Sequence, residues 1–355
     1  MDTPVPSDPA LYRPHARALT NLHADLEGYA SAQPEVFVGT AGSVIERTNA
    51  SGFRFFAHQS YDGAGKKQER YLAGPVGDPA AIDKAEQVRT RIRELKALVP
   101  SLRLLGREGY ALVDGRTYAT LASLHNHGVF AAGGVLIGSH AYGLLLNHLG
   151  IRAARYATED VDIARREALA FERLPKPPFL TMLRESGIDF VEVPGLDRKR
   201  PSTSFAARGR AMFHVDLLVP SPNETFPAIA VPELGAHATG LPYLRYLLAE
   251  VQPGLLLARE GCCRVRVPLP ERFTVHKLIV SSLRVGRGAR AANDIEQACV
   301  LAAALAEHHP GALESAKSAV PPGARKHLRA GLAAAGPLLE KAHPRAWEEL
   351  HQRSE

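Results

Sequence analysis

Asp160 and Asp162 stand one residue apart, with Val161 between them and Ile163 and Ala164 after them. In a strand, residues i and i+2 face the same way. The spacing therefore sets two carboxylates side by side and turns Val161 and Ile163 toward a core. Such a pair repels unless a cation lies between the two groups, and a hard divalent ion such as Mg2+ (or Mn2+) takes oxygen ligands. A third acid, Asp216, sits among apolar Val215, Leu217 and Leu218. Burying it is costly unless its carboxylate reaches solvent, a partner or a metal. If the two strands pair, Asp160, Asp162 and Asp216 converge on one patch as catalytic and metal-binding acids, enough for a two-metal site. Glu192, in Asp189-Phe-Val-Glu192, is a rival third acid, and the apolar residues on both sides of Asp216 favour the latter.

Gly138 and Ser139 end the apolar run Gly133-Gly-Val-Leu-Ile137 and open a helical stretch. Free backbone N–H groups and the positive end of the helix dipole gather at such a junction, which suits a phosphate. Gly138 lets an anion approach the backbone, and Ser139 adds a hydroxyl and a helix cap. A phosphate cradle beside a carboxylate-bound metal pair is apparatus for phosphoryl or nucleotidyl transfer. Gly63-Ala-Gly65-Lys66-Lys67 lacks the spacing of a P-loop and lies between strands rather than before a helix, leaving at most a basic hairpin tip that touches phosphate.

The elements that must position these residues follow from periodicity and turn chemistry. A helix is expected over 8–33. Short strands are expected at 36–38, 43–47, 53–58 and 69–73, forming a hairpin or three-stranded meander. A polar helix is expected over 79–98, with Arg89, Arg91, Arg93 and Lys96 on a solvated face. Next come a helix at 117–129, a strand at 133–137, a helix at 140–149, a loop at 150–158 and a strand at 159–164. A helix near 179–186 precedes strands at 188–193 and 211–219. Helices fill 271–284, 291–308 and pieces of 311–351. The expected class is α/β (α+β): an N-terminal helix and β-hairpin region over 1–116, a small mixed-sheet core over 117–269, and a helical region over 270–355.

This pattern resembles the nucleotidyltransferase superfamily related to DNA polymerase β, with its apolar strand, Gly-Gly/Ser, Asp-x-Asp and later third acid. The match runs over Gly133 to Ala164 and Met212 to Val219. The text around Gly138-Ser-His-Ala-Tyr142, Tyr156-Ala-Thr-Glu-Asp-Val-Asp-Ile163 and Arg272-Phe-Thr-Val-His-Lys-Leu-Ile-Val280 is similar to a bacterial branch of these enzymes, covering roughly 35 to 310. The resemblance implies a nucleoside triphosphate, ATP among the candidates, with its phosphates over Gly138 and Ser139. It also implies Mg2+ between Asp160 and Asp162, and a nucleoside monophosphate passed to an acceptor hydroxyl with release of pyrophosphate. Lys277 is a candidate triphosphate contact, and Arg284 and Arg287 could assist. The 21 positions from Ser139 to Asp160 exceed the usual gap in the superfamily. An enlarged loop over 150–158 absorbs the excess and is expected to carry Arg152 and Arg155 toward the nucleotide.

Other residues have plainer readings. Tyr142 is expected to pack more than to bind a base, and His276 to be a satisfied core histidine. Asp294 is read as a helix-start residue, with orientation of Lys277 or an arginine as the alternative. His125, His127 and His214 have no metal-binding spacing, so no zinc is assigned. Cys262 and Cys263 are expected to pack in a strand, with no redox role.

The chain of 355 residues is 45% hydrophobic and 23% charged, which affords a soluble core and argues against global disorder. Three cysteines form no CxxC pair or disulfide framework, so a reducing cytoplasm fits. The early acids and prolines do not read as a signal peptide, and no apolar stretch reaches membrane-span length, so no membrane partner is expected. Arginine supplies 33 of 43 basic residues, and the net charge of +6 permits a polyanion without requiring one. The acceptor classes open to such a chain are a nucleic-acid end such as tRNA, slightly favoured, a protein side chain, or a small hydroxylated molecule. Two alternatives are a catalytically inactive nucleic-acid-binding or regulatory module and a toxin-like enzyme. The sequence sets no oligomeric state.

Overall fold

The computed structural model describes residues 10–154, 158–172, 176–195, 200–284 and 288–351. A two-residue strand, β1 (Arg13–Pro14), precedes helix α1 (Arg17–Ser31). The helix starts later than its apolar spacing predicts, because Arg13 and Pro14 are held extended by pairing with residues 151–152. Strands β2 (Ser43–Thr48), β3 (Arg54–Tyr61) and β4 (Lys67–Ala73) form the expected antiparallel meander. Residues 36–38 form no strand. The Val36 N–H and C=O are both occupied by the Asn126 side chain, at 2.9 Å each.

Helix α2 (Pro79–Arg107) is capped by Asp78, whose carboxylate accepts from the Ala81 N–H. It runs past the expected end near 98 and through Pro100, an interior position that loses one hydrogen bond. Leu102 and Leu105 offset that cost by burying fully in a cluster with Leu26 and Ala30 of α1. Its basic face is tethered as well as solvated: Arg89 lies over Phe56 and Arg91 over Phe37.

Helix α3 (Gly115–Asn126) leads through β5 (Val135–Ile137), α4 (Gly138–His148), β6 (Ile151–Arg152) and β7 (Asp160–Ala164). The chain continues through α5 (Phe179–Arg184), β8 (Phe190–Glu192), β9 (Ser204–Ala207), β10 (Arg210–Pro220), β11 (Ala228–Val231), β12 (Ala236–Leu241) and α6 (Leu244–Leu247). Seven of these strands make one mixed sheet in the order β11-β12-β10-β7-β5, with β9 on the first half of β10 and β8 outside β9. Strand β10 is parallel to β7, and β5 is antiparallel to β7. The architecture is mixed α/β, as expected. Strands β9, β11 and β12 are short and carry no clear alternation, so periodicity alone does not reveal them.

A hairpin of β13 (Val251–Leu257) and β14 (Cys262–Pro268) follows, with Cys262 and Cys263 buried in β14. Five helices complete the chain: α7 (Pro270–Ser281), α8 (Gly288–His308), α9 (Ala312–Ser318), α10 (Arg325–Leu339) and α11 (Pro344–His351). Helix α10 crosses α7 so closely at Gly331 that a Cβ there would overlap the Leu278 carbonyl. One continuous core runs from Tyr12 through the sheet to Leu350. Among the described residues no helix is long and apolar enough to cross a membrane.

Candidate active site

Strand β7 alternates as its sequence predicts: Val161 and Ile163 are buried, and Asp160 and Asp162 are partly accessible on the opposite face. Strand β10 repeats the pattern, with Val215 and Leu217 buried and His214 and Asp216 on the other face. The parallel register pairs Asp162 with Asp216 and Asp160 with His214. All three aspartates thus share one face of two neighbouring strands. Glu192 is exposed at the end of β8, which β9 separates from β10. The structure therefore sets Asp216, and not Glu192, beside Asp162.

Gly138 follows β5, whose Ile137 is paired with Asp162. Its φ of +70° is left-handed, and a Cβ there would overlap Asp162 Oδ2. Only glycine fits both demands, so the carboxylate lies against the backbone that opens α4. Ser139 is the next residue of that helix, partly accessible at its first turn. Arg155 lies outside the described residues, as does Arg287. Arg152 is in β6 beside Gly109, paired with Arg13.

Burial and crowding of like charge raise two of the acids. Burial, then the charge of Asp216, pushes Asp162 up from 3.8 to about 7, with Asp160 adding to the rise and Lys277 and Arg284 opposing it. Asp216 is also raised, mainly by burial, against a hydrogen bond from Ser204, its antiparallel neighbour on β9. His214 Nδ1 is 3.7 Å from Asp160 Oδ1. Periodicity could have found His214, since it stands two residues before Asp216 on the same face. Nothing local could have found Ser204, whose place depends on the register of β9.

Positive charge comes from the C-terminal helices. Lys277 of α7 is buried, with Nζ 2.6 Å from Asp294 Oδ1, and Arg284 Nε pairs with the other oxygen of the same carboxylate. Asp294 is itself 3% exposed and lies inside α8, so it orients both cations rather than starting a helix. Tyr142 is buried in the core. His276 is buried in the core, as expected, and pushed down to about 3, so it is neutral; its Nε2 has no hydrogen-bond partner among the described residues. The hairpin tip at Gly63 docks on the core through its N–H to the Ser186 carbonyl, with Lys66 and Lys67 exposed beyond it.

The donor set is all oxygen and carries an excess of negative charge, which fits a hard divalent cation. The carboxylates share a face without closing on one point: among the described residues, no group of three or more His, Cys, Asp or Glu side chains is arranged to hold a metal ion. A cavity of about 370 Å³ adjoins the cradle, lined by Ser139, His140, Thr158, Asp114 and Gln297. Burial holds His140 down at about 4, and its Nε2 and the Gln297 Oε1 have no hydrogen-bond partner among the described residues.

The three aspartates thus lie on adjacent strands beside the start of α4, with the charges of Lys277 and Arg284 acting on Asp162. A nucleotidyltransferase family matches residues 116–321, more than half of the chain, and the chain belongs to that family. It is a nucleotidyl-transferring enzyme, and the family implies a nucleoside triphosphate as substrate. The matched segment holds the cradle, the three aspartates, Lys277, Arg284 and Asp294. No curated protein and no solved structure matches the chain.

Proposed function

We propose that the protein is a divalent-metal-dependent nucleotidyltransferase that uses Gly138, Ser139 and Lys277 for the triphosphate and Asp160, Asp162 and Asp216 as the catalytic and metal-binding acids. The observation that carries this reading is the in-register pairing of Asp162 with Asp216 against the left-handed Gly138. The N–H groups of the first turn of α4 bind phosphate oxygens, aided by the helix dipole. Lys277, held by Asp294, presents its charge toward Asp162 and balances the incoming triphosphate. An acceptor hydroxyl bonds to the α-phosphorus, the bond to the bridging oxygen of the β-phosphate breaks, pyrophosphate leaves and the hydroxyl proton passes to water. Mg2+ or Mn2+ bound by the three aspartates would polarise the phosphates and lower the pKa of the attacking hydroxyl.

The test is transfer of label from each α-labelled nucleoside triphosphate into total RNA or lysate protein with Mg2+ or Mn2+. Transfer is expected with the native chain and is expected to vanish in Asp160→Ala and Asp162→Ala. Absence of transfer under every condition, with Asp160→Ala binding nucleotide and metal as the native chain does, would overturn the reading.

A further inference from the structure

A second, larger concavity lies next to the cradle. It is an open groove of about 1090 Å³, bordered by Arg103 and Arg107 of α2, Arg259 of the β13–β14 turn, and Tyr110. Leu112, Val113 and Asp114 line both this groove and the 370 Å³ cavity at Ser139, so one short strip of chain borders both. The strip between them is rigidly built. Asn147 of α4, buried, clamps Ala111 by accepting from its N–H at 2.7 Å and donating to its C=O at 2.9 Å. The Val113 N–H donates to the Leu257 carbonyl at 2.8 Å. The helix that carries the cradle thus also fixes the floor of the groove.

The charge of the groove is unspent. Arg103, Arg107 and Arg259 are exposed, and none has an ion pair or side-chain hydrogen bond among the described residues. Arg103 and Arg107 are four residues apart on one helix, so their guanidinium groups emerge on the same side one turn apart. Two acids border the groove, and both face the N-terminus of α3. Asp114 caps it, accepting from the Arg116 and Thr117 N–H groups, and the Glu260 carboxylate lies against Gly115. The helix dipole compensates them, which leaves the arginines to set the sign of the field. Tyr110 is 1% exposed, and its hydroxyl has no hydrogen-bond partner among the described residues.

We propose that this groove is the acceptor track and that the acceptor is a single-stranded nucleic-acid chain, a reading that rests on nucleotidyl transfer at the carboxylate face. Planar guanidinium groups match phosphodiester oxygens bidentately. The chain lies with its phosphates on Arg103, Arg107 and Arg259 and crosses Val113 and Asp114. Its terminal nucleotide enters the smaller cavity, which His140 and Gln297 line. That cavity opens beside Asp160, whose N–H donates to the Thr158 hydroxyl lining it. A terminal hydroxyl is thereby brought toward Asp160.

The test is equilibrium binding of fluorescein-labelled oligouridylate to the full chain over a salt series, without nucleotide, so that catalysis plays no part. For a single strand, each neutralised phosphate contributes about 0.7 to the slope of log K against log salt. Removing all three arginines in R103A/R107A/R259A is expected to lower the slope by about 2 and to weaken binding at least tenfold at low salt. The control R325A/R329A, on another face, is expected to bind as the native chain does. Nucleoside triphosphate binding is expected to be unchanged in both variants. Equal oligouridylate affinity in the native chain and the triple variant, or no binding by the native chain, would overturn the proposal. So would an acidic peptide that binds through the same arginines more tightly than the oligonucleotide. Loss of label transfer in Asp162→Ala with oligouridylate binding intact bears on the carboxylate site alone, so the two readings fail separately.

Discussion

Replacing Asp162 with Asn keeps the shape of the side chain and removes the charge that the site penalises. Burial and the neighbouring Asp216 and Asp160 carboxylates raise Asp162 from 3.8 to about 7. Between those values the folded protein holds a proton that the unfolded chain releases, so the fold loses stability as pH rises through the window. The shift of about three units corresponds to about 4 kcal/mol at full expression. The carboxylate is partly accessible and coupled to Asp216, and solvent screening brings the expected effect to about 2–4 kcal/mol. Without divalent metal, Asp162→Asn is therefore expected to equal the native chain in stability near pH 4 and to exceed it by that amount at pH 8. Urea denaturation in EDTA across this range reads the difference directly. Added Mg2+ is expected to stabilise the native chain and to do little for the variant. A stability difference between the two proteins that does not change with pH would refute the account of a carboxylate forced against its neighbours.

Gly138→Ala should leave a folded protein that has lost label transfer, because its Cβ would displace the Asp162 carboxylate; the left-handed backbone adds about 1–2 kcal/mol of destabilisation, and unaltered transfer would show that the cradle tolerates displacement. Asp294→Ala strands buried Lys277 and should cost about 3–5 kcal/mol in urea denaturation, with a loss below 1 kcal/mol pointing to another anion for Lys277. Gly331→Ala forces α10 away from the Leu278 carbonyl and should lower the thermal midpoint without altering triphosphate affinity at a temperature where the protein stays folded; an unchanged midpoint would contradict the close crossing.

The parts of the site that repeat with a period of two were legible in the sequence. Asp160, Asp162 and Asp216 sit where strand alternation put them, and the glycine that opens α4 was marked by the change from an apolar run to a helical one. The register of distant strands was not legible. Pairing Asp216 with Asp162 requires β10 to lie parallel to β7 across 45 residues of intervening chain, and Ser204 reaches Asp216 only because β9 folds back on β10. The role of Asp294 was hidden for a similar reason. Its neighbours in the sequence suit a helix start, whereas its partners come from α7 and the residues after it. The long α2 ran past its expected end because burial of Leu102 and Leu105 outweighed Pro100, a tertiary effect with no local trace.

The order in which the parts of the site occur along the chain bears on how the protein is made. The carboxylate face is complete once residue 216 has been synthesised, but Lys277, Arg284 and the aspartate that holds them follow only later. A nascent chain ending between those points carries crowded acids with none of these cations to balance them. Domains fold as units during synthesis when their cores close early. Here two cations that oppose the charge of the acids are Lys277 and Arg284, so charge balance at the carboxylate face waits until the ribosome has passed Asp294.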